Sequence, residues 1–186
     1  HVLIRKNKKD EYMVVLITRT ETLPNQRELI QKMVKEFPFI TSIYQNINEK
    51  ATNVILGKKT KHLYGNEVLI EEVLGLKFLV SPNSFFQTNL KQTEKLYQLV
   101  KDMANPTKDD IILDAYCGVG TISLLLANSS KKVYGIEIVN EAIKNAKANM
   151  LLNGIDNVQF ITGKAEEEIK KFVEKKIDII IVDPPR

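Results

Sequence analysis

The stretch "DAYCGVGTISLLLA", residues 114–127, joins the end of an apolar strand to an apolar helix through a turn that contains two glycines. The first strand is "DIILDAY", and a second strand, "KVYGIEI", follows the helix. A strand, a helix and a strand in this order predict a βαβ unit with two parallel strands.

The alternation continues outward from this unit in both directions. The helix "NEAIKNAKANMLLNG", the strand "VQFITG", the helix "AEEEIKKFVEKK" and the strand "IDIIIVD" follow it, and the amphipathic helix "TEKLYQLVKDMA", with Thr93 as its N-cap, precedes it. We therefore predict an α/β fold class, with a Rossmann-like domain over residues 91–186 whose sheet is truncated after the fourth parallel strand.

The first 90 residues follow a different pattern, in which short apolar runs are separated by polar turns. "HVLIRKNKKDEYMVVLIT" predicts a hairpin, and "ITSIYQNIN", "TNVILG", "HLYG" and "EVLIEEVLGLKFLVSP" predict further strands. One helix is predicted in "NQRELIQKMVKEFP", from five apolar residues at helical spacing: Leu29, Ile30, Met33, Val34 and Phe37. Residues 1–90 are thus expected to form a small β-rich α+β subdomain.

Composition limits the classes of protein. No apolar run approaches the roughly 20 residues that span a bilayer, and no secretory leader is visible, so we expect a cytoplasmic protein without a membrane partner. One cysteine excludes a disulfide framework and argues against a metal site. The net charge of +4 suits a nucleic-acid partner, although a solvated lysine-rich face is the alternative. Lys58, Lys59 and Lys61, followed by His62 and Tyr64, form the group most typical of RNA contact.

The glycine turn is the candidate cofactor site, because ligands of such sheets bind beyond the carboxyl ends of the strands. Gly118 and Gly120 allow a ligand to approach the backbone, and Glu137, at the end of the second strand, can accept ribose hydroxyls. The dinucleotide fingerprint needs a third glycine where Ser123 stands, so S-adenosyl-L-methionine fits better than NAD. A methyltransferase is favoured over an oxidoreductase or a fold without cofactor. The candidate cofactor-binding residues in and beside the turn are Asp114, Tyr116, Gly118, Gly120 and Glu137.

Cys117 lies inside this turn and has no Lys, Arg or His in the same loop to lower the pKa of its thiol. We interpret it as a small packing residue, not as a nucleophile.

Two other stretches are candidates for binding the substrate. "DPPR", residues 183–186, follows the fourth parallel strand, where Asp183 can orient a polar edge of a substrate, and a simple turn after a strand is the alternative. In "SPNSFFQTN", residues 81–89, Phe85 and Phe86 are expected to be exposed stacking surfaces beside the amides of Gln87 and Asn89. The candidate substrate-binding residues are Phe85, Gln87, Asn89, Asp183 and Arg186.

In chain order, "SFFQTN", "QTEKLY", "DAYCGVGTISL", "YGIEIV", "NAKANMLLNGI" and "DPPR" closely resemble the RumA/TrmA family of RNA uracil-5 methyltransferases. The resemblance covers essentially the whole chain, and "FFQTNLKQTEKLY" is more similar to the 23S ribosomal RNA branch than to the transfer RNA branch. It implies methyl transfer from S-adenosyl-L-methionine to carbon 5 of a uridine that has left its stack.

The resemblance also implies roles for individual residues. Gln87 is expected to contact the cofactor or the uracil and so also counts as cofactor-binding, while Phe85 shapes the uracil pocket. Glu137 holds the ribose, and Asp183 lies against the base and close to the cofactor. In this family a cysteine thiolate adds to carbon 6, and a carboxylate base later removes the carbon 5 proton.

The chain departs from the family pattern at several points. The catalytic cysteine and the base glutamate are expected beyond Arg186, so no catalytic residue is assigned here and this stretch is expected to be an inactive fragment. Lys164 stands where many methyltransferases have an acid for the adenine amine. A methyltransferase of another acceptor and a non-catalytic RNA-binding module that retains the fold stay open as alternatives. Since "IDIIIVD", residues 177–183, is an apolar strand, its free edge also predicts self-association.

Overall fold

The computed structural model describes residues 1–50 and 54–184. They form two compact units, of which the first comprises His1–Glu71 with Val80–Ser84, and the second comprises Glu72–Leu79 with the chain from Phe85 onward. The sequence pattern instead places a domain boundary at residue 90. Within the described ranges, no helix has the length and apolar content needed to cross a membrane.

The first unit contains a mixed four-stranded sheet in the order β1-β2-β3-β4, formed by Val2–Lys6, Tyr12–Thr18, Ile40–Ile47 and Lys59–Gly65. Strands β1 and β2 form the predicted antiparallel hairpin. Strands β2 and β3 are parallel, because helix α1 (Gln26–Glu36) connects them. Three predicted apolar positions of α1 pack on the sheet, whereas two others are exposed: Ile30, Met33 and Val34 pack, and Leu29 and Phe37 are exposed.

The strand predicted in "TNVILG" is not formed at Val54–Gly57, and residues 51–53 lie outside the described residues. Side-chain amides take the place of a neighbouring strand there. Asn48 donates to the carbonyls of Val54 and Ile55, at 2.7 and 2.9 Å, and Asn46 exchanges two hydrogen bonds with the backbone of Gly57. Because these backbone groups already have partners, the segment needs no strand to satisfy them.

Strands β5 (Leu69–Val73) and β6 (Leu76–Val80) form a separate two-stranded hairpin. Its turn consists of Leu74 and Gly75, both with positive φ, as a two-residue hairpin turn requires.

The second unit contains the predicted parallel sheet, in the order β10-β7-β8-β9. Its strands are β7 (Ile111–Ala115), β8 (Lys132–Glu137), β9 (Val158–Thr162) and β10 (Ile179–Val182). Its helices are α2 (Leu90–Ala104), α3 (Thr121–Ala127), α4 (Asn140–Leu152) and the short α5 (Ala165–Glu168). Neighbouring residues Ile112 and Leu113 belong to different core clusters, as expected of a sheet covered on both faces. The predicted Rossmann-like fold class is confirmed.

Two helix boundaries differ from their predictions. Helix α2 begins at Leu90 with Asn89 as its N-cap, because the Asn89 side chain accepts a hydrogen bond from the N–H of Gln92; Thr93 as N-cap was wrong. The helix predicted over residues 165–176 is α-helical only to Glu168 and continues as a 3-10 helix to Phe172. A longer helix would bring Lys171 and Lys175 together on one face, whereas Lys175 here lies over the Phe172 ring.

Strand β10 lies at one edge of the described sheet, with Ile180 and Val182 exposed. Self-association through this edge stays a prediction, which light scattering of the 186-residue chain tests directly. We expect Ile180→Lys to reduce the oligomeric fraction, because a charge on an edge strand opposes pairing with another chain. Leu151→Lys, at an even more exposed apolar position on α4, is the control and should leave the fraction unchanged. A monomeric parent chain would overturn the prediction.

Candidate cofactor site

The glycine turn follows β7 at the carboxyl edge of the parallel sheet. Tyr116, Gly118 and Gly120 all have positive φ, at 65°, 56° and 81°. A Cβ added at Gly118 would meet no atom within 4 Å, whereas one at Gly120 would lie 2.6 Å from Cζ of Phe160. Only Gly118 therefore leaves open space in front of the turn. Gly120 is required for close packing of α3 on the sheet, a role that the sequence analysis did not assign.

Glu137, the last residue of β8, lies directly beside this turn. Its carboxylate accepts hydrogen bonds from the backbone N–H groups of Gly118, at 3.1 Å, and Val139, at 2.8 Å. The next two residues, Ile138 and Val139, are apolar but 57% and 53% exposed. An acidic acceptor, an exposed apolar surface and open space at a glycine therefore meet at one place. The acid was predictable from its place at the end of the second strand, whereas the exposed apolar pair that follows it was not predicted.

Tyr116 lies at the same edge of the sheet and connects the glycine turn to α5. Its phenol donates a hydrogen bond of 2.6 Å to the carboxylate of Glu166 on α5, which follows β9. This bond lowers the pKa of Glu166 and raises the pKa of Tyr116. Lys164, whose position raised doubt about the adenine contact, pairs with Glu167 at 3.4 Å. The structure thus provides a carboxylate at this edge two residues later, in Glu166.

Asp114 lies inside the unit and is only 1% exposed. Its carboxyl group accepts a hydrogen bond of 2.6 Å from the Ser123 hydroxyl on α3. Burial raises the pKa of Asp114 to about 7; the hydrogen bond from Ser123 opposes this rise, and the nearby charge of Asp183 adds to it. The carboxyl group thus joins β7 to α3, and a direct cofactor contact by Asp114 stays a prediction.

Cys117 is buried in the core, and burial raises the pKa of its thiol well above the usual range. A Cβ added at Gly135 would lie 2.9 Å from its Sγ, so the thiol fills space against the middle of β8. A buried thiol whose pKa is raised by burial and by the nearby charges of Asp114 and Glu137 is a poor nucleophile, in agreement with the interpretation of Cys117 as a packing residue.

The residues of the predicted substrate-binding stretch differ in their exposure. Phe85 is 78% exposed, as expected. Phe86 is not exposed, because it packs against the core with its ring centroid 6.0 Å from that of Phe78; the expectation that both rings are free was wrong. Gln87 is half-buried, and Asn89 uses its side-chain oxygen to cap α2. Gln87 and Asn89 line one groove along α2.

Asp183 is exposed directly after β10. Burial, and next the charge of Asp183, raise the pKa of Tyr97 on α2. The charge of Asp183 thus raises the pKa of both Tyr97 and Asp114. Arg186 lies outside the described residues.

The basic group on β4 belongs to the first unit. Lys59 and Lys61 both form ion pairs with Glu21, and the His62 ring lies 4.8 Å from the Tyr44 ring. The single carboxylate of Glu21 offsets only one of the three positive charges of Lys58, Lys59 and Lys61, so the group stays basic and RNA contact through it stays a prediction.

The carboxyl edge of the second unit fits an adenosine-containing methyl donor. The Glu137 carboxylate can accept ribose hydroxyls, Ile138 and Val139 offer an apolar surface for a flat base, and the space at Gly118 admits a ligand.

Known proteins are similar to this chain in sequence and in fold. Residues 106–184 match the methyltransferase domain family. The whole chain is 51% identical to an uncharacterized RNA methyltransferase of Clostridium acetobutylicum and 46% identical to one of Oceanobacillus iheyensis, and it spans 41% of the length of each. The crystal structure of the Pyrococcus abyssi tRNA (uracil-54, C5)-methyltransferase in complex with S-adenosyl-L-homocysteine aligns with the whole chain at a TM-score of 0.77 and 29% identity, and the chain covers 43% of it. Residues 106–184 therefore have the Rossmann-like fold of a methyltransferase domain, and this match together with the solved complex indicates S-adenosyl-L-methionine as the cofactor.

Proposed function

We propose that this chain is the cofactor-binding and base-binding part of an RNA methyltransferase that methylates carbon 5 of a uridine. The observation that carries the proposal is the alignment of the whole chain with a tRNA (uracil-54, C5)-methyltransferase, and the whole-length similarity to relatives named as RNA methyltransferases supports it. The resemblance of residues 85–97 favours 23S ribosomal RNA as the substrate within this class.

The geometry supports a division of roles along the carboxyl edge. Glu137 holds the ribose while its other hydrogen bonds keep the Gly118 turn in place. Phe85 offers a free ring face for the base, with Gln87 as hydrogen-bonding partner. Asp183, exposed after β10, orients a polar edge of the base. Burial of Cys117 leaves the carbon 6 nucleophile to a residue beyond Arg186, and the base glutamate is expected there too.

The cofactor supplies an electrophilic methyl group to this edge. The residues of the chain bind it, position the uridine and exclude water from the apolar surface at Ile138 and Val139.

The proposal is tested by identifying the methylated nucleoside that is formed by the full protein to which this chain belongs. After incubation with labelled S-adenosyl-L-methionine and unmodified 23S ribosomal RNA or tRNA transcripts, nuclease digestion and mass spectrometry should identify 5-methyluridine as the labelled nucleoside. Label in the 23S transcript alone supports the ribosomal branch, and label in tRNA alone reverses that choice. Label in another base overturns the proposed reaction.

Glu137→Gln checks the same site by calorimetry with S-adenosyl-L-homocysteine. We expect the affinity to fall by about tenfold to a hundredfold, because charge-assisted hydrogen bonds to the ribose are worth about 1.5–3 kcal/mol. Glu141→Gln is the matched control, since Glu141 lies on α4 in an exposed pair with Lys144 at 3.2 Å. Equal affinities for both variants would contradict the assignment of Glu137.

A further inference from the structure

Two asparagines, Asn149 in α4 and Asn153 at its C-cap, form hydrogen bonds with the backbone at the edge of β6 that does not face β5. Asn153 accepts a hydrogen bond from the N–H of Lys77, at 2.8 Å, and donates one to its carbonyl, at 2.7 Å. Asn149 accepts a hydrogen bond from the N–H of Leu79, at 2.8 Å. Because residues two apart on a strand point their N–H groups to the same side, the two amides act as a short partner strand for β6.

Asn149 also contacts the glycine turn, which Asn153 does not. Its Nδ2 donates a hydrogen bond of 3.0 Å to the carbonyl of Val119, between Gly118 and Gly120. The side chain of Asn149 is completely buried, so its amide oxygen is committed to the hairpin and its amide nitrogen to the turn. A single buried amide thus connects the cofactor turn with β6.

Strand β6 is in turn packed against the predicted base-binding segment. Phe78, fully buried and next to Leu79, contacts the ring of Phe86. Phe86 lies between the exposed Phe85 and Gln87 in the chain. A displacement of β6 therefore reaches both residues proposed to hold the uridine, because packed aromatic side chains transmit shifts.

We propose that Asn149 is a positioning residue that couples occupation of the cofactor turn to the placement of Phe85 and Gln87. A ligand that fixes the Val119 carbonyl fixes the Asn149 amide, which holds β6 and, through Phe78 and Phe86, the base-binding segment. Such coupling is reciprocal, so a bound base strengthens cofactor binding by the same factor. This inference rests on the proposed function, since it assigns the segment from Phe85 to Gln87 to the base.

The chain contains no tryptophan, so Phe85→Trp provides a single fluorescent reporter on this segment. Binding of S-adenosyl-L-homocysteine is measured first by calorimetry, and acrylamide quenching of the reporter is then compared without ligand and at saturation. We expect saturation to reduce quenching in the reporter chain. Adding Asn149→Ala should abolish this change even at saturation, and should weaken ligand binding by about tenfold, as expected for one lost buried hydrogen bond.

Asn153→Ala is the matched control, because it loses the hydrogen bonds to Lys77 and to the backbone carbonyl of Asn149 but leaves the side-chain link from Val119 through Asn149 to Leu79 in place. It should lower thermal stability as Asn149→Ala does, yet retain the ligand-dependent change in quenching. A purely structural role for Asn149 predicts the same response in both variants, and that result would overturn the inference.

Hydrogen exchange of the unmodified chain gives a second measurement that needs no variant to fold. Ligand binding should slow exchange in peptides covering residues 77–88. Ligand binding without slower exchange there would refute the coupling and leave the cofactor site intact, whereas no ligand binding at all would count against the proposed function.

Discussion

Gly120→Ala is expected to destabilise the second unit by about 2–5 kcal/mol. A left-handed backbone costs an alanine about 1–2 kcal/mol, and overpacking of a core costs about 1–3 kcal/mol. Both costs apply at Gly120, where φ is 81° and a Cβ would lie 2.6 Å from Phe160 and 3.1 Å from Ala146. Urea denaturation followed by circular dichroism measures the change in the free energy of unfolding.

Gly118→Ala is the matched variant, with a similar φ of 56° but no atom within 4 Å of the added Cβ. It should cost only the backbone term of about 1–2 kcal/mol, while its methyl group obstructs the ligand space and weakens cofactor binding. Phe160→Leu should recover part of the stability lost in Gly120→Ala, because the two side chains compete for one volume. Equal stability of the two alanine variants would show that Phe160 moves aside at no cost in free energy, which would contradict the prediction.

Asp114→Asn should remove a fall in stability of about 2–3 kcal/mol between pH 5 and pH 8. In the folded chain burial holds the pKa of Asp114 at about 7, whereas the ordinary value is 3.8. The folded state therefore keeps a proton that the unfolded chain releases, so this carboxyl group stabilises the fold below pH 3.8 and that contribution is lost as the pH rises to about 7. An asparagine side chain does not titrate. The free energy of unfolding of the Asp114→Asn variant should therefore vary less over this pH range.

Asp178→Asn separates this effect from general electrostatics. The N–H of Ile111, and next Lys176, lower the pKa of Asp178, so its contribution has the opposite sign and is lost only as the pH falls below its ordinary range. Between pH 5 and pH 8 the free energy of unfolding of the Asp178→Asn variant should change with pH as that of the parent chain does. Urea titrations at each pH provide the comparison, and a parent-like slope for Asp114→Asn would exclude the buried carboxyl group as the source.

The fold was predictable because its signals are local. Apolar strands alternating with helices after residue 90 are sufficient for a parallel sheet, and the glycine turn with an acid at the end of the next strand is sufficient for an adenosine-type site. The boundaries were less predictable, since they depend on competition between partners. Asn89 rather than Thr93 caps α2 because its side chain reaches the N–H of Gln92. The segment Val54–Gly57 is not a strand because Asn46 and Asn48 satisfy its backbone.

Within the site, residue types alone indicated a carboxylate for the ribose and glycines for a tight turn, because these requirements are chemical. Three-dimensional packing assigned the individual tasks. It directs Gly118 to open space and Gly120 to Phe160, encloses Asp114 beside Ser123, buries Phe86 but leaves Phe85 free, and brings Asn149 between Val119 and Leu79. Such contacts join residues that are distant in the chain, and each depends on the volume left by its neighbours, which no periodic pattern of one segment records.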